Sequence, residues 1–204
     1  MYKTEQEKFW EGEFGNNYIQ RNNSSQLLAS NINFFTKALN QSGRIDSCIE
    51  FGANIGMNLK ALKLLYPNLK MSGVEINKKA SVELATFIGH ENVFNGSIFE
   101  YSNKSQKDLS LIKTVLIHVN PEMLELVYDK LYKSSKRFIL IAEYYNPTPV
   151  SIKYRGHENK LFKRDFAGDF LKKFPDTKLI DYGFIYKGDI AFPEDDITWF
   201  LIEK

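Results

Sequence analysis

Short apolar runs alternate with segments of helical period along most of this chain, and that alternation most constrains its fold. Residues 46–51, 69–75, 92–95, 109–112 and 138–142 read as strands. Ser24 or Ser25 caps a helix running to about Asn40, and Pro67 stops a helix that starts at Asn58. Asn77 caps the next, with Ala80, Leu84, Phe87 and Ile88 expected to face inward and Gly89 at its end. Asn120 and Pro121 open another to about Lys133. Asp165 caps the last, where Phe166, Phe170 and Phe174 form one stripe before Pro175. Strands separated by helices pair in parallel, with the helices covering both faces of the sheet. Residues 179–186 and 197–202 are two more strands with no helix between them, so they pair antiparallel. The expected fold is α/β: a single-domain, Rossmann-like, seven-stranded, mostly parallel sheet with a C-terminal antiparallel hairpin and helices on both faces.

Composition excludes several classes. Lys+Arg is 27 and Asp+Glu is 25, a formal net charge of +2. A protein living on phosphate contacts carries a larger basic excess, so a dedicated nucleic-acid binder is disfavoured. One cysteine permits no intrachain disulfide and argues against a Cys-based zinc site, and no metal is expected. No apolar run approaches the roughly 20 residues of a membrane span, and the first eight residues lack the apolar core of a signal peptide. A cytoplasmic setting is the expectation. Oligomeric state is not legible.

In open α/β sheets, ligands bind beyond the carboxyl ends of the strands. After the first strand the chain reads Glu50-Phe-Gly-Ala-Asn-Ile-Gly56. Gly52 lets the chain turn and Gly56 allows close approach as the helix begins. Counted from Gly52, the second and third glycines of a dinucleotide fingerprint would fall on Asn54 and Met57, so that fingerprint is absent, which disfavours a nicotinamide oxidoreductase. The phosphate loop is absent too. Glu50 suits a cationic ligand group, not a phosphate. Glu75 ends the second strand nineteen residues beyond Gly56, where a carboxylate commonly holds ribose hydroxyls. A cofactor with a ribose, a cationic part and no pyrophosphate on the loop matches S-adenosylmethionine.

These residues resemble the class I S-adenosylmethionine-dependent methyltransferases. The likeness extends to the pseudaminic acid biosynthesis-associated methylases. It is carried by Phe9-Trp-Glu-Gly-Glu-Phe-Gly-Asn-Asn-Tyr18 with Arg21-Asn22, by Leu116-Ile-His-Val-Asn-Pro121, and by Glu143-Tyr-Tyr-Asn-Pro147. Tyr154-Arg-Gly-His157, Lys163-Arg-Asp-Phe166 and Asp195-Asp-Ile-Thr-Trp-Phe200 extend it over nearly the whole chain. The resemblance implies that Glu50 orients the loop and the methionine amino group, that Gly52, Ala53 and Asn54 line the methionine end, and that Glu75 with Ile76 binds the ribose. Gly96, Ser97 and Ile98 sit where such enzymes hold adenine, with Ser97 where many members have an aspartate. Lys113 and Thr114 follow the fourth strand, where methyl group and acceptor meet.

A sulfonium is already a strong electrophile, so the protein must align the acceptor and remove a proton when the acceptor is a hydroxyl. The candidate bases are His118, His157, Glu143 and Tyr144. Residues 144–164 show no clean period, and so long a loop in a compact domain is usually functional. Tyr145, Tyr154, Arg155, Lys163 and Arg164 are its candidate acceptor contacts. Its basic excess, with Lys153 and Lys160 against Glu158, points to a small anionic acceptor. The family likeness points to a nonulosonic-acid-type sugar. Trp10, Phe14 and Tyr18 are spaced by four, one face of a helix that lids the cofactor, with Tyr18 and Arg21 near the methionine carboxylate. Cys48 reads as a small core residue. The expected division is a lid (1–42), a cofactor-binding core (43–143), a substrate loop (144–168) and a terminal helix and hairpin (169–204). A methyltransferase acting on protein or nucleic acid, and a non-catalytic adaptor, are the competing readings.

Overall fold

The computed structural model describes residues 4–204, with Gln20 described by its backbone only; residues 1–3 of the expected lid lie outside the described residues. Strands β1 (Ser47–Phe51), β2 (Lys70–Glu75), β3 (Val93–Asn95), β4 (Lys107–Lys113), β5 (Ser135–Glu143), β8 (Lys178–Ile185) and β9 (Ile197–Glu203) form one sheet in the order β3-β2-β1-β4-β5-β9-β8. The first five run parallel, and β9 pairs antiparallel with both β5 and β8. This is the expected sheet. Order reverses between β1 and β4, which opens a crevice at their carboxyl ends.

Helices α3 (Ser25–Ala38), α4 (Met57–Leu65) and α5 (Lys78–Ile88) bury Phe34, Phe35, Leu59, Leu62 and Leu84 against Leu109, Leu111 and Leu140. On the other face, α6 (Leu124–Ser134) and α7 (Phe166–Lys173) bury Val127, Leu131, Phe166 and Phe170 against Ile49, Phe51 and Ile139. The caps read from the sequence are formed: Ser24 accepts from the Leu27 N–H, Asn77 from Ala80 and Asp165 from Gly168. Phe87 departs from expectation, lying at the surface of α5 beside Lys60. Pro121–Met123 forms a 3-10 turn ahead of α6 rather than its first turn.

Two segments fold differently from the reading. The aperiodic stretch contains a hairpin, β6 (Val150–Tyr154) against β7 (His157–Lys163), as a separate two-stranded sheet. Its turn residues Arg155 and Gly156 both have positive φ, 47° and 89°. That is the requirement of a tight hairpin turn, and glycine meets it readily. The N-terminal aromatic helix is two helices, α1 (Glu5–Glu11) and α2 (Glu13–Arg21), broken where Gly12 caps both.

Candidate active site

A cavity of about 200 Å³ lies beyond the carboxyl ends of β1, β2 and β4. The loop after β1 shapes its wall. Gly52 turns at φ +75°, and a Cβ there would stand 2.5 Å from Val115 Cγ2. Left-handed backbone costs an ordinary residue about 1–2 kcal/mol, before the clash. Gly52→Ala is therefore expected to lower unfolding free energy by about 2–4 kcal/mol, read by denaturant titration. Asn54 (φ 48°) and Thr114 (φ 56°) hold the same strained conformation and both line the cavity. Strain retained at non-glycine positions clusters at functional sites.

The Glu75 carboxylate ties this wall together. It accepts from the Asn54 N–H at 2.7 Å and from the Asn77 N–H at 2.7 Å. Burial raises its pKa, against the pull of the backbone N–H groups of Asn77, Asn54 and Ile76. Beyond it, Ser97, Ile98 and Phe99 close the end nearest β3. The Ser97 hydroxyl accepts from the Phe99 N–H at 3.1 Å, which leaves its own proton to donate.

Toward β4 the lining mixes polar and aromatic side chains. Its floor is polar, lined by Asn31, Asn58 and Lys113. Asn58 Nδ2 donates to Glu50 Oε1 at 2.6 Å, while Glu50 Oε2 is buried with no hydrogen-bond partner. Burial pushes Glu50 up to about 8; Asn58 and Lys113 oppose this and Glu75 adds to it. Lys113 Nζ lies 3.0 Å from Asn31 Oδ1 and 3.0 Å from Glu194 Oε2.

The roof is aromatic. Trp10 and Tyr18 line it and meet edge to face, their centroids 5.2 Å apart. Burial is the main reason Tyr18 titrates at about 12. His118 stacks near Trp10 (4.6 Å) and Tyr154 (4.8 Å). Its Nδ1 lies 2.6 Å from the Lys160 carbonyl oxygen of β7. A carbonyl only accepts, so Nδ1 carries the proton and Nε2 is left with a lone pair. Burial pulls the imidazole down to about 4, against the Lys160 carbonyl, so it is neutral at pH 7.

Lid and hairpin hold each other. Gln6 Nε2 donates to the Asn159 carbonyl at 2.9 Å, Lys160 pairs with Glu5 at 3.3 Å, and Phe9 packs on His157. Asn77 Nδ2 fastens the break between α1 and α2, lying 3.3 Å from the Trp10 oxygen, 3.1 Å from that of Glu11 and 3.0 Å from Asn16 Oδ1. Asn77→Ser keeps a capping oxygen for α5 but loses these donors. It is expected to shift stability by less than about 1 kcal/mol and to speed limited proteolysis within residues 4–22 several-fold.

Of the residues singled out from the sequence, Tyr18, Gly52, Ala53, Asn54, Glu75, Ile76, Ser97, Ile98, Lys113, Thr114 and His118 converge on the cavity. Glu50 lies behind Asn58, and Gly56 caps α4 at φ +82°. The Gly96 N–H donates to the Glu75 carbonyl. Arg21 is exposed over the rings of Phe14 and Tyr18.

Three candidate bases stand away from the cavity wall. Glu143 accepts from the backbone N–H groups of Val115 (2.9 Å), Leu116 (2.9 Å) and Ile117 (3.4 Å), holding the turn that ends at His118. Burial lifts it to about 7, against those N–H groups. The Tyr144 hydroxyl donates to Asp195 at 2.5 Å, and burial with that bond raises its pKa far above the usual tyrosine value. His157 is exposed on the hairpin.

The acceptor candidates lie outside the wall too. Tyr154 packs behind His118, Tyr145 is exposed near Phe200, and Arg155 forms the hairpin turn. The basic excess is largely neutralised: Lys153 pairs with Glu158, Lys160 with Glu5 and Arg164 with Asp169. Lys163 lies over the Tyr144 ring. Asn31, Asn58 and Glu194 carried no readable signal, being single polar residues in a helix or loop. Asn77 was legible only as a cap.

Among the described residues, no three His, Cys, Asp or Glu side chains are grouped to hold a metal ion, and no helix is long and apolar enough to cross a membrane. No protein-family model and no curated protein matches the chain. Solved structures do. Mitomycin 7-O-methyltransferase superposes with a TM-score of 0.70 at 13% identity, covering 98% of this chain; this chain spans 61% of that one. The Burkholderia thailandensis 1,6-didemethyltoxoflavin-N1-methyltransferase, solved with 1,6-didemethyltoxoflavin and S-adenosylhomocysteine, gives 0.71 at 10% identity over 98% of this chain and 86% of that one. Magnesium protoporphyrin IX methyltransferase from Synechocystis PCC 6803, solved with S-adenosylhomocysteine, gives 0.69 at 11% identity over 97% of both chains. The chain is similar in fold to these methyltransferases.

Proposed function

We propose that this chain is an S-adenosylmethionine-dependent methyltransferase acting on an O or N atom of a small acceptor. The observation that carries this reading is the cavity itself. It joins an acidic strand end at Glu75, a polar side formed by Asn31, Asn58 and Lys113 with the unpartnered Glu50 oxygen behind Asn58, and a neutral imidazole beside Trp10 and its neighbour Tyr18. When bound, the cofactor supplies a methyl group on a sulfonium. Glu75 keeps acceptor capacity for the ribose hydroxyls beyond the backbone N–H groups of Asn54, Asn77 and Ile76. Ser97 and Ile98 flank the adenine end, and Glu50 Oε2 offers an acceptor to the amino group. His118 Nε2 takes the proton of a hydroxyl acceptor; an amine acceptor needs no such base. The roofed cavity favours a small molecule over a protein or nucleic-acid segment.

The family likeness in the sequence makes the acceptor a nonulosonic-acid-type sugar or its nucleotide-activated form. Arg155 and Lys163, which form no ion pair among the described residues, are the cations proposed to meet its carboxylate. Labelled S-adenosylmethionine tested against a panel of nonulosonic acids, their nucleotide forms and amino sugars, read by mass spectrometry, should show transfer to one class. Binding of S-adenosylhomocysteine without transfer to any would favour the adaptor reading. Absence of binding would overturn the proposal.

A further inference from the structure

The seven-stranded sheet ends differently at its two edges. β3 is three residues long, and so short a strand offers little to pair with. β8 is eight residues long and lies outermost at the other edge. Its first half is guarded by Lys178 and by a β-bulge between Leu179 and Asp181. From there the chain reads Tyr182-Gly-Phe-Ile-Tyr186, with no charge and no proline, in regular register with β9 as far as Ile185. An unguarded apolar edge is a template for another strand.

The face beside this edge is uncovered too. Ile185 is buried in the core that α3 covers. Side chains alternate along a strand, and Tyr182, Phe184 and Tyr186 are 66%, 57% and 61% exposed. Phe200 of β9 stacks on Tyr182, and Tyr145 lies against Phe200, each with centroids 6.3 Å apart, which carries the aromatic surface inward. The three exposed rings leave roughly 400 Å² open to solvent, as much as the largest apolar patch on a typical monomer. The charges flanking them, Lys178, Asp181, Lys187 and Asp189, are of both signs. An anionic membrane or a nucleic acid would call for cations alone.

The strand is complementary to its own reverse. In a two-fold antiparallel pair centred on Phe184, Tyr182 stands opposite Tyr186 of the partner subunit, and Asp181 opposite Lys187 of the partner subunit. Centring one residue earlier sets Asp181 against Ile185, and one later sets it against Asp189. Aromatic and opposite-charge pairs across strands stabilise, and like charges repel. Asp181 Oδ1 accepts the Tyr182 N–H at 2.9 Å, which leaves Oδ2 for a cation. Neither Asp181 nor Lys187 forms an ion pair among the described residues. Two copies bring together roughly 800 Å² of ring surface before any backbone is counted, close to the about 1,000 Å² of a specific interface. We propose that a second copy of this chain pairs antiparallel along β8 in the register centred on Phe184, forming a two-fold dimer with one continuous sheet.

Sedimentation velocity over a range of micromolar concentrations tests this, with circular dichroism to show that each variant is folded. The wild type should sediment as a dimer. Phe184→Lys, at a position more than half exposed, should raise the dimer Kd at least about 100-fold. Leu64→Lys, on α4 and 61% exposed, should leave it within about twofold. Asp181→Lys and Lys187→Asp should each raise it about tenfold, because the two-fold axis repeats the like-charge pair. The double variant Asp181→Lys/Lys187→Asp restores opposite charges and should return to within about threefold of wild type. Four results overturn the inference: a wild type that is monomeric at every concentration, a Phe184→Lys dimer as tight as wild type, an equal loss in Leu64→Lys, or a double variant no tighter than the single ones.

Discussion

His118→Gln is expected to lower kcat for a hydroxyl acceptor by about 10²- to 10⁴-fold, the usual worth of a general base. Affinity for S-adenosylhomocysteine should stay within about twofold by calorimetry, because a base acts on the acceptor. Glutamine's amide can still donate to the Lys160 carbonyl that now receives the Nδ1–H at 2.6 Å. The turn is held independently by Glu143 through the N–H groups of Val115, Leu116 and Ile117. Loss of turnover would then reflect the missing Nε2 lone pair and not a collapsed roof. The pH profile is a second readout. A base is active when unprotonated, and burial holds this imidazole at about 4 instead of 6.5. Wild-type kcat should be flat above about pH 5 so far as His118 decides it, and fall as pH drops through 4. A variant with wild-type kcat would make His118 a packing residue, and transfer to nitrogen would become the better reading.

The sheet was legible because strand and helix periods act locally. Residues 138–142, apolar throughout, could only be a strand covered on both faces, and it stands as β5 between β4 and β9. The loop after β1 was legible for the same reason, since Gly52 and Gly56 mark turns wherever they fall. Convergence across the chain was not. Asn77 announces a helix cap, but its donors to Trp10 and Glu11 depend on where the lid lands. Glu143 and Tyr144 end the right strand, and sequence position alone made them bases. In the fold they hydrogen-bond to the 115–117 turn and to Asp195, contacts that no strand position announces. The charges of the hairpin also depend on distant partners. Glu5, remote in sequence, and Asp169 pair with Lys160 and Arg164, while the lysine that lines the cavity is Lys113 at the end of β4.

Glu50 should make the stability of this protein fall as pH rises toward 8. Its carboxyl is 1% exposed, and burial lifts its pKa from 4.5 to about 8. Between those values the folded protein holds a proton that the unfolded chain has released, so the folded state binds more protons and unfolding is favoured by raising pH. The contribution is fully present below about 4.5 and lost as pH climbs through 8. Over the whole interval it amounts to a few kcal/mol, of which about 1 kcal/mol falls between pH 7 and 8. Other groups shift within the lower part. Glu143, raised to about 7, and Glu75, also raised, have the same sign. His118, lowered to about 4, opposes them below its ordinary 6.5. The slope from pH 7 to 8 is therefore the part most nearly due to Glu50. Glu50→Gln matches the protonated carboxyl in shape, and its Oε1 can still accept from Asn58. Denaturant melts should show the variant losing little stability between pH 7 and 8 while the wild type loses about 1 kcal/mol. The ligand supplies the opposing force. An amino group donating to Glu50 Oε2 favours the ionised carboxyl, so S-adenosylhomocysteine binding at pH 7 should release close to one proton. Calorimetry in two buffers of different ionisation heat measures that release, and Glu50→Gln should abolish it and weaken binding. Parallel pH slopes for wild type and variant, or binding without proton release, would remove Glu50 from the amino group and leave it as a buried support for Asn58.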